Sequence, residues 1–151
     1  MEARYEKPGW FTKNILDRFV ALLTRIGIDV AGSRVLEVRG RSSGEWRRTP
    51  VHLLTHDGGM YLVAPRGNTQ WVRNLRASGR GRLAAGRGAE DFTAVELIDE
   101  EKPPLLRAYL KRWGWEVGKF FDGVGADSPE EELRRIAPEH PVFRVTPLDS
   151  D

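Results

Sequence analysis

Val51-His52-Leu53-Leu54-Thr55-His56-Asp57-Gly58-Gly59-Met60-Tyr61-Leu62-Val63-Ala64 decides how this chain is read. Two short apolar runs, 51–55 and 60–64, flank His56-Asp57-Gly58-Gly59. Asp-Gly and Gly-Gly tolerate positive φ, so the four residues predict a tight hairpin between antiparallel strands. Outward from this hairpin, short apolar runs recur at 35–38, 83–85, 92–98 and 142–146. Pro50 cannot donate to a ladder, which places it at the start of a strand or on an edge. Six short strands with few helices predict a mainly β (α+β) domain, a small antiparallel barrel carrying peripheral helices.

The helical segments are fewer and better punctuated. About two turns are expected over 69–77, and a second helix after Lys102-Pro103-Pro104 through 105–113. Ser128-Pro129-Glu130-Glu131 combines a hydroxyl at the N-cap, proline at the first helical position and acid behind it, opening a helix that runs to Ile136. Near the start, Ile15, Phe19, Leu22 and Ile26 recur at helical spacing before the stop at Gly27. That amphipathic helix is expected to pack on the core, with peripheral contact to a membrane surface as the second reading. One domain over 1–151 is expected, with the N-terminal helix in 1–27, the barrel core in 34–98, and helices plus the final strand in 99–151.

Composition limits the chemistry. The chain of 151 residues has no cysteine, which excludes disulfides, thiolate nucleophiles and thiolate metal sites and fits a reducing cytoplasm. No apolar run approaches the ~20 residues that span a bilayer. His52 and His56 on one strand lie ~13 Å apart, too far to share an ion, so no metal site is expected. Gly-x-Ser-x-Gly, Walker and Gly-x-Gly-x-x-Gly patterns are all missing.

Charge is unevenly placed. Positions 34–87 hold eleven arginines and no lysine against Glu37, Glu45 and Asp57, a net +8. With the whole chain at +2, the remainder carries −6. Local patches outweigh totals once salt screens the long range, so the basic region should seek an anion. Arginines interleaved with Trp46 and Trp71 also suit a nucleic-acid barrel, but the acidic remainder and the lack of an aromatic stripe argue against nucleic acid as the partner.

Two loops concentrate this charge. In 39–50, Gly40 and Gly44 permit a turn, Ser42 and Ser43 offer hydroxyls, and Arg41, Arg47 and Arg48 supply guanidinium forks that match phosphate and carboxylate. Their successive amides can form an anion-binding concavity. In 66–77, Arg66-Gly67-Asn68-Thr69 leads into a helix whose N-terminal pole favours anions. Trp71, Asn74 and Leu75 share one side of it, and Arg73 and Arg76 another. Further on, Tyr109, Trp113, Trp115, Phe120 and Phe121 gather aromatics that pack on the barrel or cover a flat substrate.

In their order and spacing, Gly40, Arg41, Ser43, Gly44, Arg47 and Pro50, then Asp57-Gly58-Gly59, then Arg66-Gly67, then Trp71, Asn74, Leu75, Arg76 and Ala77 resemble the deazaflavin-dependent nitroreductase family of actinobacteria. The resemblance covers 35–98 and weakens toward the final strand. It implies a split β-barrel of the flavin mononucleotide-binding kind and an 8-hydroxy-5-deazaflavin cofactor, coenzyme F-420, with a lactyl phosphate and polyglutamate tail. It further implies that Arg41, Ser42, Ser43, Gly44, Arg47 and Arg66 hold the phosphate and tail, with Arg48, Gly67 and Arg76 also in the coenzyme site. Thr49, Pro50, Val51, Ala64, Pro65 and Trp71-Val72-Arg73-Asn74 would line the ring, and Trp113, Trp115 and Phe120 the substrate.

Ser42 and Arg66 stand where many members of that family carry lysine, and His52 stands where some carry an aromatic hydroxyl. His52 and Tyr109 are the proton-donor candidates. The implied activity is hydride transfer from the reduced coenzyme to a small-molecule acceptor, a quinone, enone or nitroaromatic, by a monomer or homodimer. The alternatives are an FMN flavoprotein and a non-catalytic barrel that sequesters a coenzyme, lipid or porphyrin.

Overall fold

The computed structural model describes residues 32–85 and 88–148; the helix expected at 10–26 lies outside them. Six strands form a closed antiparallel barrel: β1 (Ser33–Arg39), β2 (Trp46–His56), β3 (Gly59–Val63), β4 (Arg80–Ala85), β5 (Gly88–Glu96) and β6 (Val142–Pro147), joined in the order β1-β2-β3-β6-β5-β4. Among the described residues, three α-helices accompany them: α1 (Gln70–Ser78), α2 (Pro103–Val117) and α3 (Glu130–Ile136). Among the described residues, no helix is long and apolar enough to cross a membrane.

The predicted hairpin forms as its residues dictate. His56 pairs with Gly59, and the two residues between them, Asp57 and Gly58, both take positive φ (49° and 80°). That pair of left-handed residues is a type I′ turn, whose twist matches the strands it joins.

Alternation then sorts the apolar side chains onto two faces. Leu36, Val38, Leu53, Met60, Leu62, Leu83, Phe92, Phe143 and Val145 fill the barrel, with Val72 and Leu75 of α1 added to the same core. Their neighbours Leu54, Val63 and Val142 point outward and meet Leu106, Tyr109, Leu110 and Trp113 of α2, with Leu133 and Ile136 of α3. A strand period of two thus builds two cores on either side of one wall, β2-β3-β6.

Three expectations are corrected. Pro50 does not start a strand: β2 begins at Trp46 and Pro50 sits mid-strand opposite Val35. The edge half of that expectation explains why it is tolerated. Among the described residues, 46–52 of β2 pair only with β1, and β3 joins from Leu53 onward. The Leu53 N–H donates to the Gly32 carbonyl toward β1, so by alternation the Pro50 nitrogen faces the open flank. Secondly, α3 begins one residue late: Pro129 is the N-cap, and the Ser128 hydroxyl accepts the Gly125 N–H instead, closing the preceding turn. Thirdly, α2 runs to Val117 rather than Trp113, because Gly114 sits against Leu110 without interrupting the helix.

His140 anchors the loop that follows β3. It is 3 % exposed, its ring stacks on Phe121 at 4.1 Å, and Nδ1 lies 3.4 Å from the Ala64 carbonyl, the geometry of a neutral tautomer donating there. Burial is the largest influence and lowers its pKa below the usual 6.5. In the pH window below that value the unfolded chain binds the proton and the folded chain resists it. Stability therefore rises with pH through this window and is lost as pH falls below about 6.5. We expect a slope of at most ~1.4 kcal/mol per pH unit in urea unfolding as pH falls below about 6.5, and a flatter profile in His140→Gln. Equal slopes in both proteins would show that His140 is not the group responsible.

Candidate functional site

The open flank of β2 is one wall of a cleft of about 1070 Å³. Thr49, Pro50, Val51 and His52 of β2 line it on one side; Pro65, Arg66, Thr69, Gln70, Trp71 and Asn74 line another; Tyr109, Glu116, Val117, Lys119 and Phe120 close the third. Because no second strand among the described residues pairs with β2 here, side chains border its open edge. The size and the mixture of apolar wall with a few polar groups suit a sizeable organic ligand.

The two arginine-rich loops are bolted together. The Arg41 backbone N–H donates to Asn74 Oδ1 at 3.0 Å, and its guanidinium donates to the same oxygen at 2.8 Å and to Gln70 Oε1 at 2.9 Å. The first loop is itself closed by Gly40 N–H on the Glu45 carbonyl at 2.7 Å, and Gly44 takes φ 75°, which glycine adopts without strain. Asn74 is 4 % exposed and carries both donations on one oxygen. Asn74→Ala would remove two hydrogen bonds to Arg41, at about 0.5–1.5 kcal/mol each, and leave Gln70 as the guanidinium's partner. We expect a loss of that size in chemical denaturation, with looser ligand binding; a change under 0.5 kcal/mol would show that the loops are not joined through this residue.

Carboxylates separate the arginines into two groups. Arg48 meets Glu37 at 3.1 Å, Arg76 grips Glu96 through two donations of 2.7 Å each, and Arg82 pairs with Asp91 at 2.8 Å. Arg39 and Arg82 each stand 4.8 Å from the Trp46 ring centre. Hydrogen bonding to those acids raises the Arg76 and Arg82 pKa further. Among the described residues, Arg47 and Arg66 meet no carboxylate, and both line the cleft. Arg66 lies 5.4 Å from the Phe120 ring centre. An unneutralised guanidinium at the mouth of a cleft is a standing attraction for an anion.

Not every expected residue reaches the cleft. Val72 is fully buried in the barrel core, Ala64 is buried beneath its strand end, and Arg76 is turned to Glu96. Arg41, Ser42, Ser43, Gly44, Gly67 and Arg73 do not line it; Ser43 Oγ instead accepts the Glu45 N–H. Trp115 is 82 % exposed and outside the cleft, because two residues from Trp113 along a helix is a turn of about 200°. Trp113 lies behind the wall and stacks on His52 at 4.6 Å and 8°. Trp71 does both jobs open to it, packing against the barrel core and lining the cleft. Arg34, Gln70, Glu116 and Lys119 line the cleft without having been singled out. The helical stripe Tyr109, Trp113, Glu116, Phe120 carried the signal for Glu116.

His52 and Tyr109 sit side by side in this wall. His52 Nε2 lies 3.0 Å from Glu116 Oε1, while Nδ1 is buried without a hydrogen-bond partner. A buried bare nitrogen is less costly than a buried unpaired N–H, so the arrangement with Nε2–H donating to Glu116 is favoured. Tyr109 is 2 % exposed, and burial first, then the Glu116 charge, pushes its pKa far up, so its hydroxyl keeps its proton. Among the described residues, no three His, Cys, Asp or Glu side chains are grouped to hold a metal ion.

Comparison with known proteins gives this cleft its context. Residues 13–115, about two thirds of the chain, match the model of a family described as F420H(2)-dependent quinone reductase. The chain belongs to that family. It is therefore an oxidoreductase of the coenzyme F-420 kind, and flavin mononucleotide is not needed. Solved structures share the fold at low identity. An F420-H2 dependent reductase is 21 % identical at TM-score 0.53, covering 76 % of this chain and 93 % of that one. An Agrobacterium tumefaciens protein of unknown function is 18 % identical at TM-score 0.55, covering 84 % of this chain, which spans only 53 % of that one. PhzG of Burkholderia lata, solved with tetrahydrophenazine-1-carboxylic acid, is 16 % identical at TM-score 0.53, covering 89 % and 75 %.

The cleft fits such a coenzyme on its own chemistry. Pro50, Val51 and Trp71 offer an apolar shelf for a flat ring, and Arg47 and Arg66 supply charge for an anionic tail. Thr69, the N-cap of α1, carries a buried hydroxyl oxygen with no partner, at the helix pole that favours anions.

Proposed function

We propose that this domain reduces a quinone-class acceptor, with enones and nitroaromatics as related substrates, using coenzyme F-420 held in the cleft between β2, α1 and α2. The observation that carries the proposal is the pair of arginines without a carboxylate partner among the described residues, Arg47 at the start of β2 and Arg66 in the loop after β3, which line one cleft beside an apolar shelf. When bound in its reduced form, the coenzyme supplies the hydride; the acceptor gains that hydride and one proton.

The protein's share is positioning and exclusion of water. In this reading Arg47, Arg66 and the amide pole at Thr69 hold the phosphate and glutamates. Arg48, Thr49 and Pro65 border the same wall, and the ring lies against Pro50, Val51 and Trp71 with Asn74 at its edge. Phe120 and Val117 then cover the face on which an acceptor stacks. Tyr109 Oη keeps its proton and donates a hydrogen bond to an acceptor carbonyl as charge grows on it. Holding both reactants in one dry cleft removes most of the entropy of their encounter.

The test is direct. Purified protein mixed with reduced coenzyme and menadione should oxidise the coenzyme, seen as recovery of its visible absorbance and fluorescence, with saturation in both reactants. Coenzyme binding without turnover across quinones, enones and nitroaromatics would leave only a sequestering barrel. Failure to bind at high micromolar coenzyme would remove the proposal.

A further inference from the structure

Among the described residues, Glu116 is the only acidic side chain lining the cleft, against Arg34, Arg47, Arg48, Arg66 and Lys119. It is not a loose surface carboxylate. It projects from α2, is 47 % exposed, and has one oxygen held 3.0 Å from His52 Nε2. His52 is in turn fixed by its stack on Trp113, and Trp113 packs on Tyr109 at 5.2 Å. A chain of three rings therefore aims one carboxylate into a cleft that is otherwise basic. Nothing in coenzyme retention requires this: an acid there repels an anionic tail and would weaken it. Its location answers the puzzle, since Glu116 stands where α2 meets β2, against His52 and beside Val117, Lys119 and Phe120 on the side of the cleft left to the acceptor.

We propose that Glu116, oriented by His52, is a specificity residue that discriminates against acidic acceptors. The proposal rests on the reading of the cleft as a coenzyme and quinone site. An arginine-rich mouth draws in any small anion, and carboxylated aromatics would compete for the ring face and for the tail-binding arginines. A fixed negative charge on the acceptor wall offsets that attraction where the acceptor must lie, so that neutral quinones are preferred. Specificity of this sort comes from a repulsive element and needs no added contact to the favoured ligand. A unit charge some 7 Å away in a half-buried site changes a binding constant by roughly ten- to fifty-fold.

The experiment uses two probes of matched shape, a 1,4-naphthoquinone bearing either a carboxamide or a carboxylate at the same ring position. Their dissociation constants are measured by calorimetry on coenzyme-loaded protein, alongside kcat/KM with reduced coenzyme. Wild type should favour the carboxamide at least tenfold in both readouts. Glu116→Gln should bring the ratio close to one by strengthening the carboxylate probe, with carboxamide binding held within twofold. Glu116→Asp should restore most of the discrimination, and His52→Phe, which frees the carboxylate, should lose part of it.

A Glu116→Gln protein that binds both probes with the wild-type ratio overturns the inference while leaving the reductase reading intact. A wild type that binds coenzyme but neither probe overturns the quinone reading, and this inference with it. Circular dichroism and coenzyme affinity in each variant separate misfolding from loss of selection.

Discussion

Arg47→Ala combined with Arg66→Ala should weaken coenzyme F-420 binding by about 3 kcal/mol, a dissociation constant raised more than a hundredfold. Each side chain stands at the cleft with no carboxylate partner among the described residues, so each is free to give a charge-assisted hydrogen bond to phosphate or glutamate. Such a bond contributes roughly 1.5–3 kcal/mol, and the lower end suits these exposed side chains, where water and salt screen the charge. The two losses add where each guanidinium meets its own phosphate or glutamate of the tail, and couple where both meet the same one. Arg76→Ala serves as the contrast: its guanidinium is spent on Glu96, so coenzyme affinity should move less than threefold. Fluorescence titration of the three proteins measures all of this. Equal losses in the double variant and in Arg76→Ala would mean that general positive charge, rather than these two groups, draws the ligand.

Phe92→Ala should cost about 3–5 kcal/mol of stability, the range for removing a fully buried ring. Phe92 is wholly buried in the barrel and pairs across β4–β5 with Gly81. A Cβ built on Gly81 would come within 2.6 Å of the Phe92 ring tip and 3.1 Å of the Glu37 carbonyl. The ring thus occupies the space that glycine leaves, and the barrel has no spare side chain to collapse into the hole. At roughly 2–4 °C per kcal/mol for a chain of this size, the melting temperature should fall by about 10 °C. A loss under 1 kcal/mol in urea would show that the interior relaxes around the missing ring and is not tightly packed.

The parts of this molecule that the sequence discloses are those governed by neighbours. The hairpin at His56-Asp57-Gly58-Gly59 is legible because two residues must take positive φ, and Asp-Gly does so at low cost. The full length of β2 is not, because Trp46, Arg47, Arg48 and Thr49 show no apolar alternation; they pair on one side only and face solvent or the cleft. Insertion of β6 between β3 and β5 is also beyond local reading, since its partners lie some 50 to 80 residues away and register is fixed by packing.

The site divides along the same line. A cluster of eleven arginines announces an anion, yet which of them are free depends on Glu37, Asp91 and Glu96 arriving from neighbouring strands. Trp115 and Glu116 lie one residue apart, and helical phase alone sends the first to solvent and the second into the cleft. That phase was available from Tyr109, Trp113 and Phe120 once the helix was carried past Trp113.

The central claim is that guanidinium groups at the start of β2 and in the loop after β3 hold one anionic tail and so seat a flat ring against β2. Comparing the dissociation constant of intact coenzyme F-420 with that of the same deazaflavin ring lacking phosphate and glutamates tests it most directly. The intact coenzyme should bind at least a hundredfold more tightly at low salt, and that advantage should shrink as ionic strength rises. Equal affinities at every salt concentration would contradict it, because the arginines would then hold nothing that the ring does not hold alone.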